Sequence, residues 1–263
     1  MRIARFSYGD PESAAYAFGV LASEPGADVP ERVAIIDGHP FGEIALTGVQ
    51  LPLPGVRLLP PILPSKVVAI GKNYADHARE MGGEPPAEPV LFLKPSTSVI
   101  GPGATIAYPS LSKEVDYEGE LAVVIGRLCR EVPAERVSEV VLGYTCANDV
   151  TARDLQRSDG QWSRAKGFDT FCPLGPWIET ELDPGDLAIT TRLNGAIKQD
   201  ARTSLLLHEV AELIAFVSNV MTLLPGDVIL TGTPAGVGPV VVGDEVTVTI
   251  EGIGTLTNTV VGR

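Results

Sequence analysis

Short apolar segments separated by Gly and Pro dominate the chain, and they predict a fold built mostly of strands. Between residues 66 and 126, the segments KVVAIG, PVLFLK and ELAVVIG are short, rich in β-branched residues and bounded by Gly or Pro, which is typical of buried strands. LGYTCAND, DLAITTRLNG and VILTG predict further strands. DEVTVTIEG and GTLTNTV alternate apolar and polar residues and predict a closing hairpin. The pattern therefore favours a β-dominated fold with many turns.

One long helix stands out against this background. Its apolar residues recur at the i, i+3, i+4, i+7 spacing of a single buried stripe, formed by Val210, Leu213, Ile214, Val217, Val220, Met221 and Leu224. The turn residues PGD at 225–227 are predicted to end it. Shorter helical turns are expected after Pro133 and in VTARDLQ.

The first 60 residues predict a separate, smaller unit. They contain short apolar pieces such as VAIID and GEIAL, and they are followed by a Pro-rich run, LPLPGVRLLPPILP, that ends at Pro64. We interpret this run as an extended linker. We therefore expect a small N-terminal β-rich domain at residues 1–60 and a larger domain at residues 61–263.

Charge and hydropathy exclude several function classes. The chain has 263 residues, with 20 Lys and Arg against 33 Asp and Glu, a net charge of −13. This balance argues against nucleic-acid binding, which needs clustered cations. No apolar run reaches the roughly 18 residues of a transmembrane helix, so no membrane partner is expected. The start MRIARFSYGD is too short and polar for a secretory signal, which predicts a cytoplasmic protein.

The His and Cys residues limit the kinds of metal site. The three His residues never form HxH or HxxxH, which argues against a His-rich zinc, copper or iron site. Cys129, Cys146 and Cys172 form no CxxC pair and leave an odd thiol, which indicates a reducing compartment. Any metal in this protein would therefore be held by oxygen.

The segment DYEGELAVVI at 116–125 carries the strongest local signal. Residues two apart on a strand point to the same side, so Glu118 and Glu120 share a face with Ala122 and Val124. Two neighbouring carboxylates on a buried strand would repel each other, and each would cost several kcal/mol to desolvate. A divalent cation would offset both costs. The alternative is an exposed strand end with two surface acids, and the pattern alone leaves both open.

Asp149 offers a third carboxylate. It ends GYTCAND, where a predicted buried strand runs into a predicted helix, a common position for functional residues. Three oxygen ligands without His or Cys would suit Mg²⁺, Mn²⁺ or Ca²⁺ and leave positions open for water and substrate. The alternative is that Asp149 caps the following helix.

The segment NYADHARE at 73–80 offers an imidazole beside a carboxylate. If it is helical, His77 and Glu80 lie on one face, and a carboxylate there would fix the imidazole tautomer and raise its basicity, which suits activation of water. The GG and PP pairs that follow would let the segment move as a lid. The alternative is a surface helix with an ordinary polar pair.

Two further segments could bind an anion. Lys166, in SRAKGFDT, could neutralise a substrate carboxylate or steady a metal-ligand carboxylate; otherwise it is a surface charge. TGTPAGVG at 231–238 lacks both the P-loop ending and the GxGxxG order. Its amides and the Thr233 hydroxyl could still hold a carboxylate, and the alternative is a plain turn.

Taken in order, these motifs resemble the fumarylacetoacetate hydrolase family, in its acylpyruvate hydrolase and dienedioate isomerase branch. The resemblance runs from about Ser65 to the end and is carried by AIGKNYADHAREM, FLKPSTSVIGPG, VDYEGELAVVIG, GYTCANDVTARDLQ, RAKGFDTFCPLGPW, LNG, LLPGDVILTGTPAGVG and GDEVTVTIEGIGTLTN. The N-terminal piece is similar to the cap of bacterial 2-hydroxyhepta-2,4-diene-1,7-dioate isomerases. The resemblance implies a β-dominated α+β fold, a mixed β-sandwich roll with a small N-terminal β-rich cap and a catalytic domain at 61–263, usually assembled as a homodimer.

The resemblance also implies a set of site residues and a cofactor. These are the metal ligands Glu118, Glu120 and Asp149, the catalytic residues His77, Glu80 and Lys166, and the substrate contacts Arg153, Gln156, Lys166 and Thr233. The implied ion is Mg²⁺ or Mn²⁺, which Ca²⁺ could replace in a crystal. No matched position is substituted, which indicates an active enzyme.

The activity implied by the resemblance is metal-dependent hydrolysis of a C–C bond in acylpyruvate-type 2,4-dioxo acids through a metal-bound enolate. The same enolate serves isomerisation of 2-hydroxyhepta-2,4-diene-1,7-dioate or 5-carboxymethyl-2-hydroxymuconate and decarboxylation of oxaloacetate, so these reactions stay open. The retained His77 and Glu80 favour the hydrolase, because only that reaction needs an activated water. The substrate in each case is a small anionic acid. An alternative of another class is a non-catalytic, metal-dependent binder of small carboxylates.

Overall fold

Strands dominate the computed structural model, which describes residues 1–22 and 30–262. The strands are β1 (Arg2–Tyr8), β2 (Ala15–Ala22), β3 (Arg32–Ile36), β4 (Leu46–Pro52), β5 (Arg57–Leu58), β6 (Val67–Gly71), β7 (Val90–Lys94), β8 (Val99–Ile100), β9 (Thr105–Tyr108), β10 (Val115–Tyr117), β11 (Gly119–Ile125), β12 (Val141–Asn148), β13 (Thr151–Ala152), β14 (Cys172–Glu179), β15 (Ala188–Leu193), β16 (Ala196–Arg202), β17 (Val228–Leu230), β18 (Gly238–Pro239), β19 (Glu245–Ile250) and β20 (Gly254–Gly262). The α-helices are α1 (Ala75–Glu80), α2 (Arg153–Asp159), α3 (Ser163–Lys166) and α4 (Val210–Val220). A 3₁₀ helix at Ala134–Glu139 confirms the helical turn predicted after Pro133.

The strands form one large sheet and two small ones. The large sheet has the order β4-β3-β2-β1-β14-β12-β11-β17-β6-β7, with β5 added to β1 and β8 added to β14. The small sheets have the orders β16-β15-β19-β20-β9 and β13-β10-β18. Most pairs are antiparallel, but β17 with β6, β20 with β9 and β14 with β8 are parallel. The result is a mixed, strand-dominated α+β fold, which confirms the predicted fold class.

Strand β11 lies at the centre of the large sheet, between β12 and β17, and both of its faces are buried. Leu121, Val123 and Ile125 pack into a core that the β16-β15-β19-β20-β9 sheet and α4 also line. Ala122 and Val124 pack into a second core on the opposite face, with contributions from the N-terminal strands. The prediction of a strand buried on both sides is confirmed, and the acids at its start therefore lie inside the protein.

Helix α4 shows how tertiary structure limits a periodic pattern. Its buried side chains include Leu213, Ile214 and Val217, as the apolar stripe predicts. The helix ends at Val220, earlier than predicted, because Leu223 leaves it to form a bridge with Cys129, with N···O distances of 2.9 and 3.0 Å. Among the described residues, no helix is long and apolar enough to span a bilayer.

The N-terminal strands continue the large sheet rather than standing apart from it. Strand β1 pairs antiparallel with β14, which brings Ile3 opposite Ile178. The Pro-rich run is not the plain linker that we predicted, because it contains the end of β4 and also β5, which pairs with β1. A two-residue strand is too short to produce a periodic signal. The division into residues 1–60 and 61–263 stays a prediction.

The turn between α4 and β17 is held by Asp227, whose side chain is fully buried. Its carboxylate accepts hydrogen bonds from Ser65 Oγ at 2.6 Å and from Leu224 N at 2.8 Å, and it forms an ion pair with Lys66 Nζ. Replacing Asp227 with Ala leaves these donors without their acceptor. We expect the free energy of unfolding, measured in urea, to fall by about 3 kcal/mol.

A matched control is Asp186→Ala, which removes an exposed carboxylate paired with Arg202. Solvent screens this pair, so its loss should change the free energy of unfolding far less. Equal effects of the two substitutions would contradict the structural role of Asp227.

Candidate active site

A cavity of about 170 Å³ lies where β11 begins and β12 ends, and α1, α2 and α3 contribute side chains to it. Its walls include all but one of the predicted site residues: His77, Glu118, Glu120, Asp149, Arg153, Gln156, Lys166 and Thr233. The remaining one, Glu80, contacts His77. Residues that are far apart in the sequence are therefore collected in one place, as the resemblance implies.

The three predicted metal ligands form one buried cluster. Oxygen atoms of Glu118, Glu120 and Asp149 all lie within 4.8 Å of one another, and the three residues are only 3%, 1% and 1% exposed. The antiparallel pairing of β11 with β12 explains the arrangement, because it places Asp149 beside Glu118, with Asp149 N donating to Glu118 O at 2.8 Å. The alternative of two surface acids is therefore wrong.

The alternative for Asp149, a helix cap, is also wrong. Helix α2 begins after Ala152, whose backbone occupies the cap position, and β13 lies between Asp149 and the helix. Both carboxylate oxygens of Asp149 instead accept hydrogen bonds from buried lysines, Lys94 Nζ and Lys166 Nζ, each at 2.6 Å.

Cations form ion pairs with two of the three carboxylates, Glu118 and Asp149. Lys166 is 2% exposed, so it is not a surface charge, and its Nζ also donates to Glu118 Oε2 at 2.7 Å. Burial alone would raise the pKa of Glu118, but the charges of Lys166 and Arg153 hold it below its usual range. Burial alone would lower the pKa of Lys166, yet the charges of Asp149 and Glu118 raise it.

Glu120 is the exception, because it has no ion pair with any cation in the described part of the chain. It accepts a hydrogen bond from Gly232 N at 2.6 Å. Burial, together with the charges of Asp149 and Glu118, raises the pKa of Glu120 well above its usual range. This carboxylate needs either a proton or an added cation.

The charges of the site fit a divalent cation. With Glu120 ionised, the four carboxylates of the buried cluster, including Asp116, exceed its three cations Lys94, Arg153 and Lys166 by one negative charge. A divalent ion would reverse this to one excess positive charge, which suits an anionic substrate. An all-oxygen set without His or Cys suits Mg²⁺, Mn²⁺ or Ca²⁺.

The predicted imidazole–carboxylate pair forms on α1. His77 is 5% exposed, and its Nδ1 lies 3.1 Å from Glu80 Oε2. A carboxylate only accepts hydrogen bonds, so in the neutral imidazole this contact puts the proton on Nδ1 and leaves Nε2 free to accept one. Glu80 Oε1 accepts from Gly236 N at 3.0 Å, which ties α1 to the 231–238 loop. The alternative of an ordinary surface pair is wrong for the buried His77.

Arg153 is held on three sides. Its Nε donates to Asp116 Oδ2 at 2.7 Å, its Nη1 to Gln156 Oε1 at 2.6 Å and its Nη2 to Glu118 Oε1 at 2.5 Å. Arg153 and Gln156 are three residues apart on α2, which explains their contact. The guanidinium is thus fixed beside the carboxylate cluster.

Thr233 lies in the cavity wall, but its hydroxyl is already engaged. It donates to Gly119 O at 2.8 Å and accepts from Gln199 Nε2 at 2.8 Å. Gln199 Oε1 in turn accepts from Gly119 N at 2.9 Å, so this buried amide ties the 231–238 loop to the start of β11. Donation to a substrate by the Thr233 hydroxyl would require its proton to leave Gly119.

Sequence reasoning missed two buried charged residues that form ion pairs with predicted site residues. Lys94 ends a predicted buried strand, and a Lys at such a position is a signal for a buried ion pair. Asp116 lies two residues before Glu118, and its place in the DYEGELAVVI segment gives no separate signal for its contact with Arg153. Both residues hold side chains of the predicted site, namely Asp149 and Arg153.

Comparisons with known proteins agree with this architecture. A family model described as the fumarylacetoacetate hydrolase C-terminal domain matches residues 66–261, and a second, described as Rv2993c-like, N-terminal, matches residues 1–61. A crystal structure of 5-carboxymethyl-2-hydroxymuconate delta-isomerase from Mycobacterium smegmatis is 55% identical, with a TM-score of 0.92 and 100% of both chains covered.

Two other relatives have different activities in their names. The mitochondrial oxaloacetate tautomerase of Rattus norvegicus is 45% identical over 84% of this chain and 77% of its own. The fumarylpyruvate hydrolase of Pseudomonas aeruginosa, crystallised with Mn²⁺ and pyruvate, is 36% identical, with a TM-score of 0.73 over 79% of this chain and 92% of its own. The chain is therefore an enzyme that belongs to the fumarylacetoacetate hydrolase family.

Proposed function

We propose that this enzyme is a divalent-metal-dependent hydrolase that cleaves a C–C bond in acylpyruvate-type 2,4-dioxo acids. The observation that carries the proposal is the 3.1 Å contact between His77 Nδ1 and Glu80 Oε2 in the wall of the cavity that holds the three carboxylates. Hydrolysis needs an activated water, whereas decarboxylation and isomerisation do not. A buried, oriented imidazole beside the cluster supplies the base for that water.

Glu118, Glu120 and Asp149 would hold the ion, and Mg²⁺ or Mn²⁺ suits their oxygen atoms. When bound, the ion supplies positive charge that stabilises the negative charge developing on the 2-oxo acid end of the substrate. The absence of a cationic partner for Glu120 among the described residues supports this assignment, as does the Mn²⁺ named in the Pseudomonas aeruginosa structure.

The proposed reaction gives different roles to two groups of side chains in the cavity wall: one binds the substrate carboxylate, and His77 activates water. Lys166 and Arg153 provide positive charge for the substrate carboxylate, and Gln156 and Thr233 complete that wall. His77 Nε2 takes a proton from water, and the resulting hydroxide attacks the C4 carbonyl. The C3–C4 bond then breaks, which yields the carboxylic acid of the acyl group and the enolate of pyruvate. The proton held by His77 returns to C3 and completes pyruvate.

The role of Glu80 is to position His77. Its carboxylate fixes the Nδ1 proton and stabilises the imidazolium that forms when Nε2 takes a proton. The Gly236 N–H holds the other oxygen of Glu80, so the direction of the imidazole depends on the 231–238 loop as well as on α1.

A second candidate is isomerisation or tautomerisation, because the relatives with these names are more similar to the chain than the named hydrolase is. Such reactions move a proton between carbon and oxygen and need no water. The same carboxylate cluster and His77 would serve them. Oxaloacetate decarboxylation would also use the cluster without a water.

Two properties of the whole molecule are part of the proposal. The resemblance supports a homodimer acting in the cytoplasm, and sedimentation of the full chain would measure its mass in solution. It also supports a catalytic domain at 61–263 with a cap at 1–60.

The test is a panel of substrates with the purified enzyme in Mg²⁺ and in Mn²⁺. We expect pyruvate release from acetylpyruvate or fumarylpyruvate to exceed the turnover of oxaloacetate and of 2-hydroxyhepta-2,4-diene-1,7-dioate. Turnover of the dienedioate or tautomerisation of oxaloacetate without acylpyruvate cleavage would favour the second candidate. Tight binding of pyruvate without any turnover would contradict both.

A further inference from the structure

The cavity wall contains one lysine that the proposed mechanism does not use. Lys72 lies between β6 and α1, is half-buried and lines the cavity together with the carboxylate cluster. Within the described residues it forms no ion pair and no hydrogen bond, whereas Lys166, Arg153 and Arg157 in the same wall are all paired with carboxylates. Among the described Lys and Arg residues that line the cavity, Lys72 is therefore the one without a carboxylate partner.

The backbone conformation of Lys72 is a second observation that sets this residue apart. Its φ is +58°, in the left-handed region that Gly and Asn adopt with little strain and that Lys rarely adopts. A glycine would form this turn at lower cost. A lysine kept in such a conformation points to a function for its side chain.

The position of the Lys72 ammonium group indicates which part of a ligand it would contact. Lys72 Nζ lies beside Gly83, where a Cβ built on the glycine would come within 3.1 Å of it. It is thus near the end of α1, and Lys72 is half-buried, whereas Lys166 and Arg153 are buried at 2% and 3% exposure beside the cluster. Lys72 therefore stands apart from the ion-paired cations that we assign to the 2-oxo acid end.

We propose that Lys72 binds a second carboxylate at the distal end of the substrate and so selects dicarboxylic over monocarboxylic 2-oxo acids. This inference rests on the proposed function, which places the 2-oxo acid end of the substrate at Lys166 and Arg153 and therefore its other end away from them. A distal carboxylate would give the unpaired ammonium a charge-assisted hydrogen bond inside a partly desolvated cavity. A methyl group at the same place would leave it unpaired.

The test compares two ligands that differ at one carbon and that the enzyme cannot hydrolyse, since neither has a 4-oxo group. 2-Oxoglutarate ends in a carboxylate and 2-oxopentanoate ends in a methyl group. Calorimetry on the Mg²⁺-loaded full chain should give 2-oxoglutarate an affinity about tenfold or more above that of 2-oxopentanoate. Lys72→Met should bring this ratio close to one by weakening only 2-oxoglutarate.

Two variants serve as controls. Lys198→Met removes the same charge from an exposed position on β16 and should leave the ratio unchanged. Lys72→Gly keeps the left-handed turn, so it should fold with a Tm at or above that of the wild type and show the same loss of selectivity.

Several results would overturn the proposal: equal affinities for the two ligands in the wild type, binding of neither, an unchanged ratio in Lys72→Met, or an equal loss for both ligands. An equal loss with a lowered Tm would assign Lys72 to the end of α1 instead. Failure of the proposed hydrolysis would be detected in a separate assay, as absence of pyruvate release from acylpyruvates. The ratio of the two ligand affinities could still be measured in that case.

Discussion

Replacing Glu120 with Gln is expected to lower kcat/KM for acylpyruvate cleavage by about 10³-fold or more, and also to stabilise the metal-free protein. The activity falls because one of three oxygen ligands loses its charge, and stabilisation of developing negative charge by the ion is worth several kcal/mol. The stability rises because Glu120 is the carboxylate for which the described residues provide no cation. A residue kept only for packing would not give this pair of opposite effects.

The direction of the stability change follows from the pKa of Glu120. In the folded, metal-free protein, burial and the neighbouring carboxylates raise this pKa well above its unfolded value. The contribution of Glu120 to stability is therefore fully present below the unfolded pKa and is lost as the pH rises toward the folded pKa. Gln does not titrate, and its side-chain oxygen can still accept the Gly232 N–H.

Thermal unfolding in EDTA measures this effect. The Tm of Glu120→Gln should exceed that of the wild type at pH 7 to 8, and the difference should shrink as the pH falls toward about 4. Added Mg²⁺ should raise the Tm of the wild type and leave that of the variant nearly unchanged. Glu245→Gln, which removes an exposed carboxylate on β19, is the matched control. A variant Tm below that of the wild type at pH 8 would contradict the account.

Replacing His77 with Ala is expected to lower acylpyruvate hydrolysis by about 10²- to 10⁴-fold, the usual effect of losing a general base. Decarboxylation of oxaloacetate should fall much less, because it requires no water. Both rates are measured on the same preparation. Their comparison distinguishes a role of His77 in activating water from a role in supporting the carboxylate cluster. An equal loss of both activities would contradict the water-activating role.

Two further variants sharpen this comparison. Glu80→Gln should reduce hydrolysis by about tenfold, a typical effect of removing an orienting partner. His39→Ala removes an exposed histidine from the N-terminal region and should leave both rates unchanged. A loss in Glu80→Gln as large as that in His77→Ala would indicate that Glu80 itself takes part in proton transfer.

The local sequence pattern was sufficient to predict the central strand β11 and the burial of the acids at its start. The apolar run of β11 predicted burial on both faces, and burial made the pair Glu118 and Glu120 costly enough to require a partner. The i, i+3 spacing on a short helix likewise predicted the His77–Glu80 contact. These features depend on the geometry of one element, which the sequence specifies directly.

Long-range pairing explains what the sequence did not reveal. Lys94 and Asp149 are 55 residues apart in the sequence and come together only in the folded chain, and nothing near either residue indicates the other. The end of α4 is set by the bridge between Leu223 and Cys129, which a helical period cannot detect. The engagement of the Thr233 hydroxyl likewise depends on Gln199 from another sheet.

The most direct test of the account is the metal dependence of acylpyruvate cleavage. Enzyme stripped with EDTA and freed of chelator is assayed for pyruvate release from acetylpyruvate while Mg²⁺ or Mn²⁺ is added back. We expect stripped enzyme to have less than about one thousandth of the full rate, either ion to restore that rate, and Glu120→Gln not to be restored. Pyruvate release that is unaffected by stripping, or that Glu120→Gln retains in full, would contradict a metal-dependent hydrolase built on this cluster.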